Sequence, residues 1–324
     1  MRAAWYGRQG RARDVLTVGT LPDPEPGPGE LRIRIAASGI NPGDVKKRQN
    51  AYGFGMPYPR VIPHSDGAGV VDLVGPKVAG SWLGRRVWCH GAQSYRPFGT
   101  AAELCVVPLD RVVALPDGAS FEQGACLGIP GITAHRAVHV AGAVEGRTVL
   151  VQGGAGAVGF CAVQLAHRAG ARVIATVRHA SDQKVARAAG ADHVLLAGGD
   201  LPAQVRSIAA EGVSHVVEVA FGANLRADLE LLAPGGSIAT YATDKPEPNV
   251  PFWPLVFGNV RLFFLGSDDF PATAKEAAAA ELTRALEESW AGIPIARRFP
   301  LDEIAGAHEA VEQPAATGRV LVTL

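Results

Sequence analysis

The chain has 324 residues, too many for one ordinary hydrophobic core, so two domains are expected. Its charged side chains cancel to a formal net charge of zero, which argues against nucleic acid or an acidic membrane surface as the main partner. No run nears the ~20 apolar residues of a membrane span, and cysteines 89, 105, 126 and 161 have no CxxC spacing, which speaks against a disulfide framework or a structural zinc knuckle.

The N-terminal MRAAWYGRQGR lacks an apolar signal core, so the expected compartment is the cytoplasm. The first third reads as β-rich. After the proline-rich turn LPDPEPGPGE, the alternating LRIRIAA (31–37) predicts a half-buried strand, and GAGVVDLVG (67–75) and GTAAELCVVP (99–108) predict two more. Before about residue 120 the only helical hint is a short turn near Asp44–Arg48. The texture then changes. RTVLVQ (147–152) is a continuous apolar run, as in a strand buried on both faces. It is followed by the helical GFCAVQLAHRAG, the strand RVIATV (172–177) and the helix SDQKVARAAGA, with Ser181 as its expected cap. DHVLLA, LPAQVRSIAA, SHVVEVA, NLRADLELLAPG and SIATYA continue the alternation, which implies a doubly wound parallel sheet over 122–255. PATAKEAAAAELTRALEESWAG (271–292) predicts a helix, and GRVLVTL a last strand that pairs with the N-terminal β region rather than with a nearby parallel partner. The expected domains are therefore a discontinuous 1–121 plus 256–324, and 122–255.

The strongest motif is VLVQGGAGAVGF (149–160). Its Gly154, Ala155, Gly156, Ala157, Val158 and Gly159 match GxGxxG between a buried strand and a helix, the context that a dinucleotide site requires. Gly154 is expected to allow a tight turn, Gly156 to let backbone amides approach a pyrophosphate, and Gly159 to let helix and strand pack closely. An NAD site usually carries an acid at the end of the second strand. Here RVIATV is followed by Arg178, with His179, Ser181 and Lys184 as further donors, so a ribose 2′-phosphate and hence NADPH is favoured.

GINPGDVKKR, PHSDGAGVV, GIPGITAHRA, VLVQGGAGAVG and AHEAVEQPAATGRVLVTL together resemble the medium-chain dehydrogenase/reductase superfamily, in its quinone oxidoreductase (zeta-crystallin-like) branch. The resemblance implies a GroES-like β domain, a Rossmann domain, a cleft between them, and often a homodimer built by extending the Rossmann sheet. RLFFLGS (261–267) is the candidate edge strand for such a dimer.

Zinc-dependent members carry a Cys, a His-Glu pair and a second Cys in the matching segments. Here those places fall on Asn41, on Ser65 and Asp66, and near Ile129, with His64 one position early. Only Asp66 is a ligand type, whereas catalytic zinc wants three. A site improvised from His64, Cys89 and His90 is disfavoured because adjacent residues on a strand point to opposite faces, leaving Cys89 in the core and His90 at the cleft or in solvent. No metal is expected. Without a metal Lewis acid the acceptor must already be electrophilic.

A quinone is the leading acceptor. An activated alkene (enal, enone or enoyl thioester) is the alternative, and a non-enzymatic NADPH-binding role, known among zeta-crystallins, is the third reading. The resemblance further implies Asn41 at the nicotinamide ribose or the acceptor oxygen. It implies Tyr52 as a cover or proton donor and Thr133 on the nicotinamide side. Tyr241 ends a strand at the carboxyl edge, where open sheets bind ligands. The loops YGFGMPYP and GAQSYRPFG, rich in Tyr, Phe and Pro, suggest a flat or aromatic acceptor.

Overall fold

The computed structural model describes residues 1–313 and 317–324, so part of the C-terminal segment that carries the resemblance lies outside the described residues. The chain divides into two compact units, Met1–Pro130 with Lys275–Leu324, and Gly131–Ala274.

In chain order the first unit begins with β1 (Arg2–Trp5), α1 (Ala12–Val15), β2 (Thr17–Thr20), β3 (Glu30–Gly39), α2 (Pro42–Arg48), β4 (Asp66–Val74), β5 (Arg86–Cys89), β6 (Leu104–Pro108), β7 (Val112–Ala114) and the start of α3 (Phe121–His139). The second unit holds β8 (Thr148–Val151), α4 (Ala157–Arg168), β9 (Arg172–Val177), α5 (Gln183–Ala188), β10 (His193–Leu196), α6 (Leu201–Ile208), β11 (Val213–Glu218), α7 (Phe221–Leu231), β12 (Leu232–Thr240), α8 (Phe252–Phe257) and β13 (Arg261–Phe264). The chain closes with α9 (Ala272–Glu287), β14 (Ile295–Pro300), α10 (Ile304–Glu312) and β15 (Arg319–Thr323).

The first unit is built on a sheet of order β14-β15-β3-β4-β5-β7, with β6 also on β3. Alternation in β3 sends Leu31, Ile33 and Ile35 into a core with Val71, Val87, Cys89 and Val107. β15 pairs antiparallel with β3, as expected, but it also pairs in parallel with β14, a partner only a short way upstream. The short α10 between them makes that crossover, and its length hid the β-α-β unit from a reading of texture.

The second unit is one six-stranded parallel sheet of order β10-β9-β8-β11-β12-β13. Val149, Leu150 and Val151 are wholly buried, which is why β8 reads as an unbroken apolar run. The order reverses between β8 and β11. β13 pairs with β12 and forms an edge of this sheet, so the chain through Phe264 belongs here and the division falls later than residue 255. The other division falls inside α3, later than 121, because that helix begins in the first unit.

α5 differs from its expected start. Its first turn is preceded by a 3-10 turn at Ala180–Asp182, and its N-terminus receives no side-chain cap, so Ser181 is not the cap. Of GTAAELCVVP only Leu104–Pro108 is strand.

Candidate functional site

In the second unit the glycine loop joins β8 to α4. The positive-φ residue that makes the tight turn is Gly153 (φ 70°), not Gly154. Gly154 is required for a different reason, since a Cβ there would lie 2.7 Å from the Ala175 Cβ on β9. A Cβ at Gly159 would sit 2.2 Å from the Gly153 carbonyl oxygen, so α4 packs at backbone contact on the loop after β8, where packing on the strand itself was expected. At Gly156, the N-cap of α4, a Cβ would meet nothing closer than 3.4 Å. The amides of Ala157, Val158 and Gly159 head the helix without intrahelical acceptors, and Ala155 lies buried behind them. A pyrophosphate fits this cradle.

Arg178 follows the last residue of β9 and is exposed, with no hydrogen bond or ion pair among the described residues. His179, Ser181 and Lys184 are exposed close by in sequence. Tyr241 follows β12, and its amide donates to the Glu218 carbonyl at 3.3 Å. Burial and the Glu218 carboxylate raise its phenol pKa. Thr133 is buried on α3.

In the first unit the expected remnant of a metal site is a closed ion-pair network. Asp66 opens β4 and is fully buried. It is not partnerless. Its Oδ2 accepts from Arg319 Nη2 at 3.0 Å and from Asn41 Nδ2 at 2.8 Å, and its Oδ1 accepts from the Ile129 amide at 2.8 Å. Arg319 Nη1 donates to Asn41 Oδ1 at 2.7 Å and to the Ile40 carbonyl at 2.9 Å. Burial raises the Asp66 pKa to about 6, against the lowering pull of Arg319 and its hydrogen bonds. The Ile129 bond lies where α3 breaks. Gly128 leaves helical geometry, Pro130 follows, and a Cβ at Gly128 would lie 2.1 Å from Asp66 Oδ1. Asn41 itself caps α2: its amide donates to Asp44 Oδ2 at 2.8 Å. Burial raises the Asp44 carboxyl to about 7.

His64 lies apart from any ligand set. Its φ is 77°, its ring is fully buried, and both nitrogens are engaged, Nδ1 with Ser38 Oγ at 2.8 Å and Nε2 with His308 Nε2 at 3.0 Å. The facing nitrogens hold one proton between them, and burial with Arg319 nearby lowers His64 to about 3, which keeps the ring neutral. Cys89 is in the core, as expected. His90, however, neither lines an open surface nor faces solvent: it is 4% exposed, beside Trp88, with its pKa lowered to about 3 by burial and by Lys275 and Arg111. Tyr52 is 48% exposed and stacks on Phe54 in the loop after α2.

Sequence reasoning missed Arg319, although a charge inside the apolar GRVLVTL was a usable signal. It also passed over Glu218, the one acid in the buried run SHVVEVA, and its helix partner Asp228.

A family model described as "Alcohol dehydrogenase GroES-like domain" matches residues 27–117, and one described as "Zinc-binding dehydrogenase" matches 157–279. The mouse protein named quinone oxidoreductase is 30% identical, over 93% of this chain and 91% of its own. A mycobacterial structure complexed with NADPH superposes with a TM-score of 0.88 at 30% identity, covering all of both chains. A structure named as an NAD-dependent alcohol dehydrogenase gives 0.89 at 28%, again over both whole chains. Two units of these topologies, a glycine cradle at the switch of a parallel sheet and similarity along almost the whole length establish that the chain belongs to the medium-chain dehydrogenase/reductase superfamily, with the quinone oxidoreductases among its relatives.

Proposed function

We propose that this oxidoreductase is zinc-independent, uses NADPH and delivers hydride to a quinone. The observation that carries the proposal is the engagement of Asp66. Its Oδ2 already receives a buried guanidinium at 3.0 Å, and the positions matched to the other zinc ligands are Asn41, Ser65 and Ile129. A divalent ion would have to displace a fixed cation to reach a single carboxylate. These residues do not fit zinc. Hydride must then go to an acceptor that is electrophilic unaided, and a hydroquinone anion takes its proton from water without a strong general acid.

NADPH supplies the hydride when bound. Gly154–Gly159 hold its pyrophosphate at the head of α4. Arg178, with His179, Ser181 and Lys184, meets the 2′-phosphate, and the unpaired exposure of that guanidinium supports the choice over NADH. Thr133 and Tyr241 contact the nicotinamide side. Asn41 has one amide hydrogen left after Asp66, which serves the ribose or the acceptor oxygen. Tyr52 covers the nicotinamide from its exposed loop. The enzyme works in the cytoplasm as a homodimer joined along β13. The exposed Phe252, Trp253, Val256, Phe257 and Phe264 on and before that edge strand support the assembly.

A steady-state panel of quinones, 2-enals and enoyl thioesters, run with NADPH and with NADH after EDTA treatment, tests the reading. Turnover of quinones with NADPH at undiminished rate, and no stoichiometric zinc by elemental analysis, is expected. NADPH oxidation with enals but with no quinone would transfer the proposal to activated alkenes. Tight NADPH binding without any turnover would make the chain a binding protein.

A further inference from the structure

The switch point of the parallel sheet holds a second polar network, which bonds into the glycine turn. Gln152 follows β8 and Glu218 ends β11, the two adjacent strands where the order reverses. Asp228, on α7, bridges them. Gln152 Nε2 donates to Asp228 Oδ1 at 2.8 Å. Thr176 Oγ1, near the end of β9, donates to Gln152 Oε1 at 2.6 Å and accepts from the Gly153 amide at 3.2 Å. The Gly154 amide donates to the Thr176 carbonyl at 2.8 Å. The chain of bonds thus runs from Asp228 into the turn that shapes the cradle. On its other side, Glu218 accepts from the Ala220 amide and from Asn224 Nδ2, at 3.1 and 3.2 Å to its two oxygens, and so sets the β11–α7 turn.

Glu218 and Asp228 are both wholly buried. Asp228 Oδ2 has no donor among the described residues, and Asp228 lies one helical turn after Asn224, which bonds both Glu218 oxygens, so the two carboxylates stand on the same face of α7. Glu218 has its donors, while Asp228 has one bare oxygen against a carboxylate. Two anions in that position repel and are both desolvated, and one proton on Asp228 Oδ2 converts the repulsion into a hydrogen bond. Consistently, burial and the Glu218 charge raise the Asp228 pKa well above the ordinary carboxylate range. Among the described residues Tyr241, after β12, also interacts with Glu218 and is itself raised by burial and by that carboxylate. Gln152, Thr176 and Asn224 are neutral, and no cation figures among the groups that shift Asp228.

We propose that Asp228 and Glu218 share one proton and are positioning residues for the dinucleotide, so that NADPH binding takes up a proton at alkaline pH. The inference rests on the NADPH reading above. With the proton in place, Gln152 and the Gly153–Gly154 turn are held for the pyrophosphate. When it leaves, the two buried anions push α7 away from the end of β11 that carries Glu218; Gln152, bonded to Asp228, is drawn out of place with the helix, and the cradle loses its support. Loss of the proton also places an extra negative charge near a polyanionic ligand.

The test is NADPH affinity by fluorescence titration from pH 6 to 10, in the wild type, Asp228→Asn and Asp228→Ala, with thermal melts alongside. The wild type weakens toward alkaline pH by up to about tenfold per pH unit once the pair titrates. Asp228→Asn donates permanently where the shared proton did and accepts from Gln152, so its alkaline weakening disappears. It also recovers most of the affinity that Asp228→Ala loses at neutral pH. Calorimetry of the wild type on the alkaline limb of that titration, in buffers of different ionisation enthalpy, shows proton uptake on NADPH binding. An identical alkaline limb in Asp228→Asn overturns the inference, as does zero proton uptake. A pH effect on the melts with none on affinity would make the pair purely structural and overturn it equally. Absence of NADPH binding at every pH would overturn the cofactor reading itself, and this inference with it.

Discussion

Replacing Arg319 by Met removes the cation from a carboxylate that has no exposure of its own. Asp66 loses the 3.0 Å bond to Nη2, Asn41 Oδ1 loses its 2.7 Å donor, and the Ile40 carbonyl loses its 2.9 Å donor. Breaking one side of a buried ion pair costs about 3–5 kcal/mol, because the charge left behind is desolvated and uncompensated. Asp66 limits that cost by taking a proton, which makes the penalty depend on pH. Its folded pKa, about 6, already lies above the ordinary 3.8, so the folded state holds the proton more tightly than the unfolded state. The stability that this proton contributes is fully present below about pH 4 and is lost as pH rises toward 6. Without Arg319 the upper limit moves further up. The defect of Arg319→Met is therefore smallest near pH 5 and reaches the full about 3–5 kcal/mol near pH 8. Urea denaturation of wild type and variant at both pH values measures it. Asp66→Asn combined with Arg319→Met should cost about 1–3 kcal/mol less than the sum of the single changes, since the buried charge goes with its partner. A loss below about 1 kcal/mol at pH 8, or strict additivity, would refute the argument.

Arg178→Asp should weaken NADPH by at least about tenfold to a hundredfold, the worth of a charge-assisted bond, while leaving NADH little changed in the same titration. Equal losses for both cofactors would remove Arg178 from the 2′-phosphate. Gly159→Ala drives a methyl to 2.2 Å from the Gly153 carbonyl oxygen, backbone against backbone. It should destabilise the second unit by about 1–3 kcal/mol and raise the NADPH Kd, read by denaturation and titration. In the proposed homodimer along β13, Phe257→Asp on the exposed aromatic face of α8 should shift the sedimentation profile from dimer to monomer without changing the far-ultraviolet circular dichroism; a wild type that sediments as a monomer, or an unchanged dimer in the variant, would refute that interface.

The βα alternation, the glycine loop and the arginine after β9 were legible because each is written in neighbouring residues. Strand burial shows as a run of apolar residues, helix starts as turn chemistry, and the cradle as glycines at fixed spacing. The β14–α10–β15 unit was not legible, since a short helix between short strands has too few turns to show a period. Nor was the tight turn at Gly153, where two adjacent glycines offer the same freedom and only the path of the chain selects one.

Sequence by itself thus determined the alternation of the parallel sheet and the glycine loop that opens α4. Only the tertiary structure decided which buried charges meet. Asp66 meets a guanidinium 253 positions away because β15 lies antiparallel on β3. Asp228 meets Gln152 across 76 positions because α7 packs at the switch of the sheet. Periodicity and turn chemistry act within a few residues and leave a local trace. The pairing of buried charges depends on strand order and register, and a linear pattern carries neither.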